Sequence, residues 1–162
     1  MICVADSSVL ITLGHLRRLD LLLRRFPDGV WAPPAVWREV TGQGASRPGA
    51  QEVTATSWVQ IESPKNTHLV RSLRSDLGPG ESEAIVLALE KQSVVLLDER
   101  EARKRARALL LPVLGTVGVL IWAKRERLIE SVKEALDFLQ RGNQFRLSLE
   151  VYRQALRDSG EL

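Results

Sequence analysis

The sequence predicts an α/β fold in which a mostly parallel sheet of four or five strands is covered by helices on both faces. Three observations carry that prediction. Short apolar runs such as residues 2–5 (Ile-Cys-Val-Ala) and 94–97 (Val-Val-Leu-Leu) have the composition of strands buried on both faces. Amphipathic segments alternate with these runs: Leu16, Leu19, Leu22, Leu23 and Phe26 recur at helical spacing among Arg17, Arg18, Asp20, Arg24 and Arg25. The intervals between runs are long enough for the crossover connections of about a dozen residues that parallel pairing needs.

Taken in order, residues 2–5 form a strand bounded by Asp6-Ser7-Ser8, and the periodic segment predicts one helix over 15–26. Pro27-Asp28-Gly29 ends that helix, residues 30–32 make a short strand, and Pro33-Pro34 opens a helix to residue 41, because proline is tolerated in a first turn. Residues 42–48, rich in Gly, Ser and Pro, read as an exposed loop before a short helix. Residues 58–62 alternate as a strand, 66–77 suit a helix, and Gly78-Pro79-Gly80 punctuates before a strong helix over 81–92. The strand 94–97 ends at Asp98, a basic helix spans 99–110, and Val113-Leu114 make the last strand. Thr116 caps a helix to residue 127, and helices over 130–141 and 148–157 close the chain. The expected organisation is one domain over 1–162, with 130–162 as C-terminal helices packed on it; no internal repeat is found.

The composition sets bounds on function. A chain of 162 residues with 44% hydrophobic and 27% charged residues reads as a soluble globular protein, without the run of about 18 apolar residues a membrane span needs. An acid in the first apolar stretch and the absence of a basic leading segment predict a cytoplasmic protein rather than a secreted one. Cys3 is the sole cysteine, which excludes an internal disulfide and a thiolate zinc cluster and suits packing in a buried strand. Trp31, Trp58 and Trp122 are expected in the core, Trp37 at an interface, and His15 and His68 on surface helices. The net charge of +3 permits a nucleic-acid partner without requiring one. Between residues 98 and 127, eight Lys or Arg stand against four acids, a local excess that suits either phosphate contact or a solvated helix face.

The acids carry the functional argument. Ligands of parallel sheets gather beyond the carboxyl ends of the strands. Asp6 follows the first strand and Asp98 follows the strand over 94–97, so both are expected at one rim; each is equally placed to cap the helix after it. With about 100° per residue counted from Glu81, Ala84, Ile85 and Ala88 fall within about 60° of it, whereas Glu83 and Glu90 lie nearly opposite. Glu81 therefore sits on the core-facing stripe of a first helical turn, where a carboxylate is favoured by the helix dipole but lacks solvent unless it overlooks a cleft. Glu83 faces solvent or an interface. Glu39, on the helix after Pro33-Pro34, reads equally as surface. Ser7, Ser8 and Thr116 are placed to hydrogen-bond carboxylates, water or phosphate at the same rim, or to cap helices.

In order and spacing, Val4-Ala5-Asp6-Ser7-Ser8, Val36-Trp37-Arg38-Glu39-Val40, Gly80-Glu81-Ser82-Glu83-Ala84-Ile85, Leu97-Asp98-Glu99-Arg100-Glu101-Ala102-Arg103 and Gly115-Thr116-Val117-Gly118-Val119-Leu120 resemble the PIN domain (PilT N-terminus) family. Within it they look like a subgroup akin to VapC-type toxins, and the resemblance covers nearly the whole chain. It implies a three-layer PIN-like fold and a metal-dependent ribonuclease in which Asp6, Glu39, Glu81 and Asp98 match the acidic quartet, with Asp6, Glu81 and Asp98 as metal ligands. It also implies Mg²⁺ or Mn²⁺, products with a 5′-phosphate and 3′-hydroxyl, a small antitoxin partner and a homodimer. Two departures stand out. Glu81 occupies a place where aspartate is usual across the family, and Asp98-Glu99-Arg100 replaces the commoner Thr-x-Asp, leaving Glu99 or Glu101 as further site acids.

Four clustered carboxylates repel one another unless a cation is bound, and an oxygen-only donor set suits Mg²⁺ or Mn²⁺ rather than zinc. Arg100, Arg103, Lys104 and Arg107 on the basic helix are the expected contacts to an RNA backbone. Two other readings compete: a non-catalytic PIN-like module that binds nucleic acid or a partner, and a hydrolase that phosphorylates its own aspartate. The latter needs a second aspartate where Ser8 stands.

Overall fold

The computed structural model describes residues 1–142 and 144–162; Asn143, inside the expected C-terminal region 130–162, lies outside the described residues. The strands are β1 (Ile2–Ala5), β2 (Gly29–Ala32), β3 (Val59–Ile61), β4 (Val94–Leu96) and β5 (Val113–Leu114). The helices are α1 (Ser7–His15), α2 (Asp20–Arg25), α3 (Pro34–Thr41), α4 (Ala50–Thr54), α5 (Thr67–Leu73), α6 (Pro79–Lys91), α7 (Arg100–Ala108), α8 (Thr116–Arg125), α9 (Val132–Gln140) and α10 (Leu149–Asp158). All the strand pairs are parallel in the order β3-β2-β1-β4-β5, with Ala5 beside Leu96 and Cys3 beside Val30. The chain adds strands outward on one side of β1 and then crosses back to the other. The change of direction falls between β1 and β4, and ligands of parallel sheets gather beyond the carboxyl ends of the strands at such a switch.

Alternation along the strands builds two cores. Cys3, Ala5, Val30, Ala32 and Leu96 join the cluster under α1, α2, α8, α9 and α10, while Val4, Val95 and Leu97 join the one under α5, α6 and α7. Each central strand is thus apolar on both faces, which is why its sequence reads as a continuous apolar run. Leu136, Leu139 and Ala155 of α9 and α10 are buried in the first cluster. Burial also pushes the Cys3 thiol up to about 12, as suits a packing residue rather than a nucleophile. Among the described residues no helix is long and apolar enough to cross a membrane.

Several expectations are corrected. The single helix over 15–26 is two helices: α1 begins at Ser7, and the chain turns at Arg17, whose φ of 56° is left-handed, before α2. The leucine spacing runs through this break because Leu16, Leu19 and Leu22 all reach the same core from either side of it. The segment 66–77 yields only α5, and α6 starts at Pro79, before Glu81. Gly115 rather than Thr116 occupies the N-cap of α8. Trp31, Trp58 and Trp122 are half-buried at the rim of the core, with Lys91 Nζ 4.4 Å from the Trp31 ring and the Arg25 guanidinium 5.8 Å from that of Trp122. Large indoles favour such margins because one edge stays apolar and the N–H stays wet.

Candidate active site

The carboxyl ends of β1 and β4 deliver two acids. Asp6 leaves β1 with its backbone amide donating to Leu96 O at 3.1 Å, which fixes the start of α1 against β4. It occupies the N-cap position of α1, yet its side chain caps nothing. Asp6 is 3% exposed; Ser8 Oγ donates to its Oδ2 at 3.1 Å, and its Oδ1 has no hydrogen-bond partner. A buried carboxylate oxygen without a partner costs on the order of 1–3 kcal/mol or more unless something outside the chain meets it.

Glu39 and Glu81 arrive on helices. Glu39, near the end of α3, is held at both oxygens: Ser7 Oγ donates to Oε2 at 2.6 Å and the Gly80 amide to Oε1 at 3.0 Å. The contact depends on glycine, since a Cβ at residue 80 would lie 2.6 Å from Glu39 Oε1. Glu81, in the first turn of α6, accepts from the Gly78 amide at 3.2 Å, half of a capping box. Gly78-Pro79-Gly80, legible in the sequence only as punctuation, forms the N-cap and first turn of α6 and brings α3 and α6 into contact at the rim.

Electrostatics tie these groups together. Burial first, and the charge of Glu81 second, push the Asp6 carboxyl up to about 7; Glu39 adds to the push, while the Ser7 amide and Ser8 hydroxyl oppose it. Glu81 is raised by burial, against the Gly78 amide, and further by Glu99 and Glu39. Asp6, Glu39 and Glu81 therefore form one electrostatic group, and Glu99 acts on it through Glu81. Glu99 itself caps α7, accepting from the Ala102 amide at 2.9 Å. Its companion Glu101 is exposed.

Asp98 belongs to a different arrangement. Both its oxygens accept from Thr116, Oδ1 from the backbone amide at 2.8 Å and Oδ2 from the hydroxyl at 2.6 Å, so it caps α8 rather than α7. Burial raises its carboxyl, and the Thr116 donors and Arg103 pull it back. Arg103 turns inward to donate to Leu97 O at 2.8 Å, and a Cβ at Gly115 would lie 2.5 Å from its Nη1 and 2.9 Å from Asp98 Oδ1. Arg100, Lys104 and Arg107 stay exposed on α7. Glu83 lies at an interface, not in solvent: its Oε1 accepts from the Ala35 amide at 3.2 Å and Arg38 lies 3.9 Å from its Oε2. His68 is exposed, and His15 stacks on Phe138.

A family model described as a PIN domain matches residues 2–161. The chain belongs to the PIN domain family. PIN domains are typically nucleases that use divalent metal ions, and the all-parallel five-stranded sheet between helix layers is a PIN-like architecture. No curated protein matches the chain. The residues at the rim fit a hard divalent cation: the side chains that meet there offer carboxylate and hydroxyl oxygens, one buried carboxylate oxygen lacks a partner, and burial followed by mutual repulsion raises two of the acids. Among the described residues, however, no three such side chains stand as a ready-made metal cage.

Proposed function

We propose that this PIN domain is a Mg²⁺- or Mn²⁺-dependent endoribonuclease acting on single-stranded RNA, and that it serves as the cytoplasmic, dimeric toxin of a toxin–antitoxin pair. The observation that carries the reading is Asp6: buried, repelled by Glu81 and Glu39, and left with an unpartnered Oδ1 at the switch in strand order.

Asp6 and Glu81 would hold the cation, and Asp98, whose oxygens accept from Thr116, would be the third carboxylate to join them. Glu39 is fixed by Ser7 and Gly80 as the fourth acid of the rim, and Glu99 lies within electrostatic reach of Glu81. Ser8 restrains Asp6 at Oδ2 and leaves Oδ1 available to the cation. Bound divalent metal supplies water activation and neutralises charge developing on the phosphate. Arg100, Lys104 and Arg107 draw the RNA backbone to the rim without reading its sequence, and Arg103 steadies the β4 end beside Asp98.

The test is cleavage of single-stranded RNA across a Mg²⁺ or Mn²⁺ titration, with end analysis of the products. Cleavage that requires the cation, leaves a 5′-phosphate and 3′-hydroxyl, and drops about 100-fold or more in Asp98→Asn supports the reading. Cleavage unaffected by a chelator overturns it. Growth arrest on expression, relieved by a small protein encoded beside this chain, tests the toxin role, and light scattering tests the dimer.

One observation favours a second reading, a non-catalytic module that binds nucleic acid or a partner protein. Asp98 has both oxygens engaged by Thr116, and the acids do not stand as a finished cage. That reading predicts RNA retention without product at every metal concentration.

A further inference from the structure

Away from the acidic rim, a cavity of about 240 Å³ opens between α1, the loop at Arg47 and the connection that follows α9. Its wall includes Ile11, Thr12 and His15 of α1, together with Arg47, Leu139 and Phe145. Thr12 and His15 lie about 7 and 12 Å further along α1 than Ser7, at 1.5 Å per residue, so the cavity is not part of the rim. Two glycines form its shape. A Cβ at Gly14 would lie 2.4 Å from Gly49 O and one at Gly49, whose φ is +100°, 2.1 Å from Ile11 O, so the backbone after Arg47 rests directly on α1.

The polar groups facing this space have donor capacity to spare. Thr41 and Thr54 bond back to carbonyls four residues earlier, at 2.8 and 2.9 Å, as helical threonines do. The Thr12 hydroxyl makes no such bond and has no partner among the described residues, although Thr12 is 7% exposed and lines the cavity. Arg47 is half-buried with one long bond, 3.4 Å to Gln144 Oε1, and it has no acidic partner among the described residues. The His15 ring is fixed 4.8 Å from Phe138 and offers a further donor. None of the residues lining the cavity is acidic. Ile11, Leu139 and Phe145 supply an apolar floor that is buried.

We propose that this cavity is a binding site for a small organic carboxylate with an aromatic or branched apolar body. The carboxylate meets the Arg47 guanidinium and the Thr12 hydroxyl, and the body lies on Ile11, Leu139 and Phe145. A guanidinium with no acidic partner among the described residues selects a planar anion, and the apolar floor rejects a bare inorganic one. The volume suits a ligand below drug size, for which pockets of about 300–1,000 Å³ are usual. The site is independent of the nuclease reading.

Titration of the ¹⁵N-labelled full chain with phenylacetate, followed by amide chemical shifts, tests it, with 2-phenylethanol as the neutral control. Saturable shifts confined to residues 11–15, 47 and 145 are expected, with a dissociation constant on the order of 1 mM for so small a probe. Binding should weaken about tenfold in Arg47→Gln, less in the near-isosteric Thr12→Val, and about tenfold for 2-phenylethanol. Shifts that do not saturate or that scatter over the surface, equal binding of 2-phenylethanol, or unchanged binding in Arg47→Gln would each overturn the proposal.

Discussion

Asp6 and Glu161 are the same chemical group in opposite circumstances. Glu161 accepts from Ser131 Oγ and the Val132 amide at 2.7 Å each and from the Lys133 amide at 3.2 Å, and Lys124 Nζ lies 2.9 Å away. Burial alone would raise its carboxyl, but those donors outweigh it and hold the carboxyl down at about 2. At Asp6 burial, and after it the charges of Glu81 and Glu39, outweigh the Ser7 amide and the Ser8 hydroxyl; Oδ1 has no hydrogen-bond partner, and the carboxyl is pushed up to about 7. The chain can therefore satisfy a carboxylate completely where the task is to tie α9 to the C-terminal residues. At the rim it leaves a costly shortfall, and the proposed cation would relieve it.

The sharpest way to break that contrast is Asp6→Asn. RNA cleavage should fall about 10³-fold or more, while thermal stability measured in the absence of divalent metal should rise, because the substitution removes a buried, repelled charge. Retained cleavage would end the claim that Asp6 holds the catalytic cation. A lower melting temperature would end the claim that Asp6 is uncompensated.

Gly80→Ala acts one step removed. Its added methyl collides with the Glu39 carboxylate, so cleavage should drop about tenfold or more with circular dichroism unchanged. Wild-type activity in this variant would show that the held position of Glu39 has no catalytic consequence.

On the Glu161 side the expected effect is on stability alone. Glu161→Gln should cost about 1–2 kcal/mol in urea unfolding at neutral pH and leave cleavage intact. Because the folded-state carboxyl lies at about 2 and the ordinary value is 4.5, the unfolded chain takes up the proton first as pH falls. The stabilisation is therefore complete above about 4.5 and is lost progressively down to about 2. The gap between wild type and Glu161→Gln should close over that window; a gap independent of pH would mean that the charge of Glu161 is not what matters. The smallest effect is expected for Lys104→Ala on α7: a modest loss of RNA affinity, with the slope of affinity against salt reduced by about 1.

What could be read in advance followed from local physics. β1, β4 and α6 announced themselves because strands buried on both faces must be apolar and because Gly-Pro-Gly ends what precedes it. Asp6 and Asp98 were placed at one rim by parallel pairing alone, and Glu81 by its angle on α6. The break between α1 and α2 was hidden because leucines on both sides of it serve one core. That Ser7, Ser8 and Thr116 stand ready to meet carboxylates was readable from their places beside the strand ends, but which hydroxyl meets which acid, and the reach of the Gly80 amide to Glu39 from another helix, depend on tertiary approach. The inward turn of Arg103 had a readable signal, since Ala102, Arg103 and Ala106 share a face of α7 whose alanines are buried.

The central claim is that Asp6 and Glu81 share a cation, and titration of free Mn²⁺ by electron paramagnetic resonance tests it directly. The account predicts saturable Mn²⁺ binding by the wild-type chain that is abolished in Asp6→Asn and weakened about tenfold or more in Glu81→Gln. Mn²⁺ binding of equal affinity and stoichiometry in all three proteins would contradict it.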